Sequence, residues 1–145
     1  MKNLILLHKE HFIPCPSLLP NTFAKNFSMS YSLDAIHFKG KRVLIRADLN
    51  VPMNDQLEVT DDSRIRASVK TIRKVSEDGG IAIVMSHLGR PKGGPENKFS
   101  LRHVIPALVN AIGKRVRFAE DCIGEKPLAV VDAASPGDVV LLENL

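Results

Sequence analysis

The stretch Ile81-Ala82-Ile83-Val84-Met85-Ser86-His87-Leu88-Gly89-Arg90-Pro91 decides the fold of this 145-residue chain. Its first five residues are apolar, and their number and type are typical of a strand buried on both faces of a parallel sheet. A histidine and an arginine follow at once, among glycines and prolines. In an α/β fold, the loop that leaves the carboxyl end of a parallel strand lies where ligands bind. The stretch therefore predicts an anion site at a strand end.

On both sides of this stretch, strand patterns alternate with helix patterns. Strands are predicted at 43–45, 81–85, 116–119 and 138–142, and helices at about 63–78, 101–112 and 123–131. The N-cap candidates are Thr60 to Ser63 for the first helix and Ser100 for the second, and glycines end both helices. The order β-α-β-α-β-α-β predicts an α/β fold: an incomplete, doubly wound parallel sheet in a Rossmann-like three-layer α/β/α arrangement.

The two ends of the chain depart from this pattern. Residues 1–28 contain three prolines and follow neither period, which predicts an irregular N-terminal extension, either disordered or an upstream-extended start. We assign no function to His8, His11 or Cys15, and the domain is predicted to occupy residues 29–145. Because the sequence stops directly after a strand, at Leu145, without a covering helix, we expect a truncated domain.

Composition limits the kinds of partner. The net charge of +4 favours anionic ligands, but the basic residues are scattered, Trp is absent and Tyr31 is the single tyrosine, so nucleic acid is not expected. Two cysteines, Cys15 and Cys122, form no metal-ligand pair, and a reducing cytosol suits them. No apolar run has the length of a membrane span. We expect no metal site and no membrane association.

Three predicted strands deliver polar residues to one edge of the sheet. These residues are Arg46, Asp48, Asn50, His87, Arg90, Glu143 and Asn144, and Arg64 in the first helical turn can reach the same edge. Arginine suits bidentate binding of carboxylate and phosphate, and Asp48 and Asn50 suit a hydroxyl group. Structural roles stay open: Arg46 can pair with Asp48 or Glu143, Arg64 can be solvated, and His87 can be a core histidine.

Four motifs in register resemble the phosphoglycerate kinase family between about Met29 and Leu145. They are Arg46-Ala47-Asp48-Leu49-Asn50-Val51-Pro52, Ser63-Arg64-Ile65, Ser86-His87-Leu88-Gly89-Arg90-Pro91 and Leu141-Leu142-Glu143-Asn144. The resemblance implies reversible phosphoryl transfer between 1,3-bisphosphoglycerate and ADP, giving 3-phosphoglycerate and ATP in glycolysis. It also implies a cytoplasmic and usually monomeric enzyme.

The resemblance further implies which residues bind the phosphoglycerate. Asp48 and Asn50 would bind its hydroxyl and carboxylate side, with at most a backbone contribution from Leu49. The loop residues His87, Leu88, Gly89 and Arg90 would hold the same substrate, and Arg64 would stabilise the transferring phosphoryl group. Mg-ATP or ADP would bind a second, carboxyl-terminal domain that this chain lacks, so the chain alone is expected to be inactive. The alternative is a non-catalytic module that binds phosphate or nucleic acid.

Overall fold

The computed structural model describes residues 4–8, 11–13 and 33–145, and these form one six-stranded sheet. The strands are β1 (Leu4–His8), β2 (His11–Ile13), β3 (Arg42–Arg46), β4 (Ile81–Met85), β5 (Val116–Ala119) and β6 (Val139–Leu142). Their order across the sheet is β2-β1-β3-β4-β6-β5. All neighbours are parallel except β1 and β2, which are antiparallel.

Three α-helices connect the strands from β3 onward. They are α1 (Ser63–Glu77), α2 (Ile105–Ile112) and α3 (Glu125–Asp132), and short 3-10 helices occupy Leu33–Ala35, Asn97–Phe99 and Leu101–Val104. The predicted order βαβαβαβ is confirmed. No helix within the described ranges is long and apolar enough to cross a bilayer.

The chain reverses direction across the sheet, and this reversal creates the two helical layers. From β3 through β4 to β5 it moves one way, and from β5 to β6 it returns, so that β6 lies between β4 and β5. Crossovers of one hand therefore place α1 and α2 on one face and α3 on the other. Strand β6 is buried on both faces: Val139 and Leu141 join the larger core, while Val140 and Leu142 join the smaller core under α3.

Two helices begin later than their sequence patterns predict. Ser100 caps as expected, since its Oγ accepts a hydrogen bond from the Arg102 N–H, but a 3-10 turn precedes α2. The α-helix starts at Ile105 because Pro106 has no N–H and is favoured in a first helical turn. In α3, the Asp121 carboxylate accepts hydrogen bonds from the next two N–H groups, which holds the chain in a turn until Gly124.

Part of the predicted irregular extension is regular structure instead. Leu4–His8 pairs in parallel with β3 over its whole length, and His11–Ile13 pairs with Leu4–His8. A short apolar run shows no period of its own, but the free edge of β3 offers it backbone hydrogen bonds. The rest of residues 1–28, including Cys15, lies outside the described residues. The domain boundary at Met29 stays a prediction.

Candidate functional site at the carboxyl edge of the sheet

The chain keeps its alternation after β3 and brings polar side chains to the carboxyl edge of the sheet. The Ala47 N–H donates to the Met85 carbonyl at 3.0 Å, which extends the pairing with β4 by one residue. Asp48 is exposed and Asn50 is half-buried. The apolar residues that alternate with them are buried, namely Ala47, Leu49 and Val51. Asp48 and Asn50 are therefore less buried than the apolar residues that alternate with them.

Asp48 pairs with Arg64 rather than with Arg46. The Arg64 Nη1 lies 3.1 and 3.0 Å from the two Asp48 carboxylate oxygens, and both side chains are about half exposed. An exposed ion pair stabilises a fold by only about 0–1 kcal/mol, so an anionic ligand can compete for the guanidinium. The Arg64 Nε and Nη2 atoms have no hydrogen-bond partner among the described residues and stay available to such a ligand.

Ser86 joins the ends of β3 and β4. It is 1% exposed, and its Oγ accepts the Leu49 N–H at 2.9 Å while donating to the His87 carbonyl at 3.1 Å. The Ser86 hydroxyl thus bonds to the buried Leu49 N–H after β3 and to the His87 carbonyl in the loop after β4. The start of the loop is fixed relative to Asp48 and Asn50.

Gly89 is held on one side by Asn50 and on the other by an aromatic ring. Its N–H donates to the Asn50 Oδ1 at 2.9 Å, and its φ of +65° lies in the left-handed region. A Cβ at this position would lie 2.2 Å from Cδ1 of Phe99, so a glycine is required. The Asn50 Nδ2 has no partner within the described part of the chain and can still donate to a ligand.

Two residues at the end of β6, Glu143 and Asn144, hold both ends of the loop; the sequence placed them at this edge but did not predict these contacts. The Asn144 Oδ1 accepts from the Leu88 N–H at 2.8 Å, and its Nδ2 donates to the carbonyls of Leu88 at 2.8 Å and Phe99 at 2.9 Å. The Glu143 carboxylate accepts from the Ser100 hydroxyl at 2.6 Å and the Leu101 N–H at 2.9 Å. The available signal was two polar residues directly after a fully buried strand.

Leu49, predicted to contribute at most its backbone, and Leu88 of the predicted substrate loop both lie in the core. Leu49 is fully buried and Leu88 is 2% exposed. Their backbone groups are also engaged, since Leu49 donates to Ser86 and both polar groups of Leu88 bond to Asn144. Their side chains therefore fix the strand ends and do not reach the surface of the site.

His87 and Arg90 are exposed, and within the described residues neither forms a hydrogen bond or an ion pair. Nearby, the Lys98 ammonium lies 3.0 Å from the Glu96 carboxylate, which also accepts the Lys92 N–H at 3.1 Å. Both contacts hold the pKa of Glu96 below its usual value, and the contact with Lys98 lowers it more than the contact with the Lys92 N–H does. Glu96 therefore stays ionised and paired with Lys98, and it does not neutralise Arg90.

The residues predicted to bind substrate lie apart from the cavity that the described residues form beside the loop. A cavity of about 530 Å³ does border the loop, between Pro91, Phe99 and the Asn144 end of β6. None of Asp48, Asn50, Arg64, His87 and Arg90 lines it. The structure links Asp48 to Arg64 and Asn50 to Gly89, but no described hydrogen bond or ion pair joins His87 or Arg90 to either pair. The arrangement presents several donors to solvent.

The family model for phosphoglycerate kinase matches residues 33–145. A phosphoglycerate kinase from Porphyromonas gingivalis is 47% identical over 115 residues, which cover 79% of this chain and 27% of the relative. One from Rhodospirillum centenum is 50% identical over 113 residues, covering 78% and 28% respectively. The chain thus spans little more than a quarter of the length of these relatives.

Solved structures of similar fold carry the same name. The phosphoglycerate kinase from Pyrococcus horikoshii OT3 superposes with a TM-score of 0.69 at 29% identity. The one from Coxiella burnetii gives 0.65 at 34% identity. Each comparison covers 77% of this chain and 27% of the solved one.

Proposed function

This chain belongs to the phosphoglycerate kinase family, and from that premise we propose that the carboxyl edge of its sheet is a phosphoglycerate half-site. The reaction is phosphoryl transfer between 1,3-bisphosphoglycerate and ADP, giving 3-phosphoglycerate and ATP in glycolysis. One observation carries the proposal. His87 and Arg90 are exposed and unpaired within the described residues, on a loop whose backbone is bonded to the ends of β3 and β6.

The donors at this edge match a small molecule that carries a phosphate, a carboxylate and a hydroxyl. Arg90 offers a planar fork for bidentate binding of an anionic group, and His87 adds a ring N–H. The Asn50 Nδ2 is a further donor, while the Asp48 carboxylate can accept from the hydroxyl. Arg64 exchanges its weak pairing with Asp48 for the transferring phosphoryl group, where a fixed positive charge lowers the barrier.

The described residues do not fit Mg²⁺. Within the described ranges, no three His, Cys, Asp or Glu side chains are grouped as metal ligands. We propose that relatives hold the metal and the nucleotide in the part of their chain that this one does not match. The chain alone is then inactive. A cytoplasmic, monomeric protein is part of the same proposal.

Calorimetric titration of the chain with 3-phosphoglycerate tests the half-site. Hydrogen bonds to charged groups contribute about 1.5–3 kcal/mol, so Arg90→Gln should weaken binding roughly 10- to 100-fold. Arg66→Gln is the matched control, because Arg66 is 74% exposed, pairs with Asp62 and lies about 200° around α1 from Arg64. Arg64→Ala should change the affinity by less than about threefold, because its proposed contact forms in the transition state.

Two results would overturn the proposal. Equal affinities for Arg90→Gln and Arg66→Gln would remove Arg90 from the site. Tighter binding to a random oligonucleotide than to 3-phosphoglycerate, strongly weakened by salt, would favour the non-catalytic binding module that the net charge of +4 also allows. Turnover of 3-phosphoglycerate and ATP by the chain itself would contradict the expected inactivity.

A further inference from the structure

We infer that Asn144 is a positioning residue for the substrate loop. It acts through the backbone of Leu88 to set the orientation of His87 and Gly89. The inference rests on the proposed phosphoglycerate site, but it concerns a residue that would not touch the substrate. Asn144 is half-buried, and all three of its described side-chain hydrogen bonds go to loop backbone.

The planar amide of Asn144 pairs with both polar groups of one residue. It accepts the Leu88 N–H and donates to the Leu88 carbonyl, each at 2.8 Å. These two groups belong to the two peptide planes that flank Leu88. Because a peptide unit is planar, fixing these groups also fixes the Cα of His87 on one side and the nitrogen of Gly89 on the other.

The peptide between Leu88 and Gly89 is held from both of its ends. Its carbonyl accepts from Asn144, and its N–H donates to the Asn50 Oδ1 at 2.9 Å. This N–H bond holds the Asn50 amide in the orientation that leaves its Nδ2 as a free donor for a ligand. Asn144 therefore influences two proposed ligand groups, the His87 ring and the Asn50 amide, through one peptide.

Asn144 also fastens the far end of the loop. Its Nδ2 donates to the Phe99 carbonyl at 2.9 Å, and the Phe99 ring occupies the space that a side chain at Gly89 would need. Glu143 continues the same function by accepting from Ser100 and Leu101. Loss of the Asn144 amide should free the residues on both sides of Arg90 and spread the orientations of His87 and Arg90.

The test compares Asn144→Ala with Asn54→Ala. Asn54 is a matched control, because its side chain also makes three hydrogen bonds, two from backbone N–H groups and one to Glu58, in a turn outside the site. We expect Asn144→Ala to lower the affinity for 3-phosphoglycerate at least tenfold, and Asn54→Ala to lower it less than twofold. Urea unfolding of both variants separates this effect from a general loss of stability.

Amide hydrogen exchange of the wild-type chain gives a readout that does not depend on a variant folding. The Leu88 and Gly89 amides should be protected without ligand, and added 3-phosphoglycerate should raise that protection while leaving the Glu58 amide unchanged. If the wild type binds 3-phosphoglycerate and Asn144→Ala binds equally well, the inference fails and the proposed function stands. If the wild type does not bind, the proposed function fails, and rapid exchange at Leu88 would overturn the positioning role separately.

Discussion

Replacing Gly89 by alanine should destabilise the chain through two costs that the structure allows us to estimate. An L-residue at the observed φ of +65° costs roughly 1–2 kcal/mol. The new Cβ would lie 2.2 Å from the Phe99 ring, so the ring must move by about 1.2–1.8 Å to regain ordinary contact. Overpacking of this kind costs about 1–3 kcal/mol. We therefore expect a loss of about 2–5 kcal/mol in the free energy of unfolding, a large share of a typical domain's stability.

Urea unfolding measures this loss as a fall in the midpoint at constant slope. Gly93→Ala is the control in the same loop, because its Cβ would meet nothing within 4 Å and its φ is not in the left-handed region. That substitution should be neutral, or stabilising by about 0.4–1 kcal/mol. Combining Gly89→Ala with Phe99→Ala should cost less than the sum of the two single changes, because the clash is gone. Equal midpoints for Gly89→Ala and Gly93→Ala would refute the reasoning.

Three further changes test other contacts. Gly80→Ala should cost about 1–3 kcal/mol in urea unfolding, because its Cβ would lie 2.9 Å from a backbone oxygen, and an unchanged midpoint would contradict this. Ser86→Ala leaves a buried N–H without its acceptor and should also cost about 1–3 kcal/mol; a loss under about 0.5 kcal/mol would show that the N–H finds another acceptor. The Ser135 N–H and the Arg117 guanidinium hold the pKa of Asp138 below its usual value. The stabilisation of the fold by ionised Asp138 is therefore complete above about pH 4 and is lost as the pH falls through the folded-state pKa. The difference in free energy of unfolding between wild type and Asp138→Asn should therefore shrink from pH 5 to pH 2. A constant difference would argue against this.

The sequence alone predicts strands β3 to β6 well, because these strands are short, mostly apolar runs bounded by glycines and charged residues. Ile81–Met85 and Val116–Ala119 are observed with the predicted limits. The placement of Asp48 and Asn50 follows from alternation, and the edge that collects them follows from parallel strands. Such features depend on local pattern and on topology, and both are contained in the sequence.

Choices between competing partners could not be read from the sequence. Asp48 selects Arg64 and not Arg46, because the start of α1 brings the Arg64 guanidinium within 3.0 Å. Asn144 bonds to a residue 56 positions earlier, and no periodicity encodes such a contact. The strand Leu4–His8 likewise needs the edge of β3 before its backbone can pair. In each case the deciding distance exists only after separate elements have packed.

The position of β6 has a consequence for the order in which this chain folds. β6 is the last strand of the described chain to be synthesised, yet it lies between β4 and β5, and β5 pairs with no other described strand. The loop after β4 leaves the ribosome 56 residues before the Asn144 amide that fastens Leu88. At a synthesis rate of roughly 5–20 residues per second, Asn144 is added about 3–11 s after Leu88. We therefore expect the Asn144 amide to reach Leu88 only once β6 lies between β4 and β5.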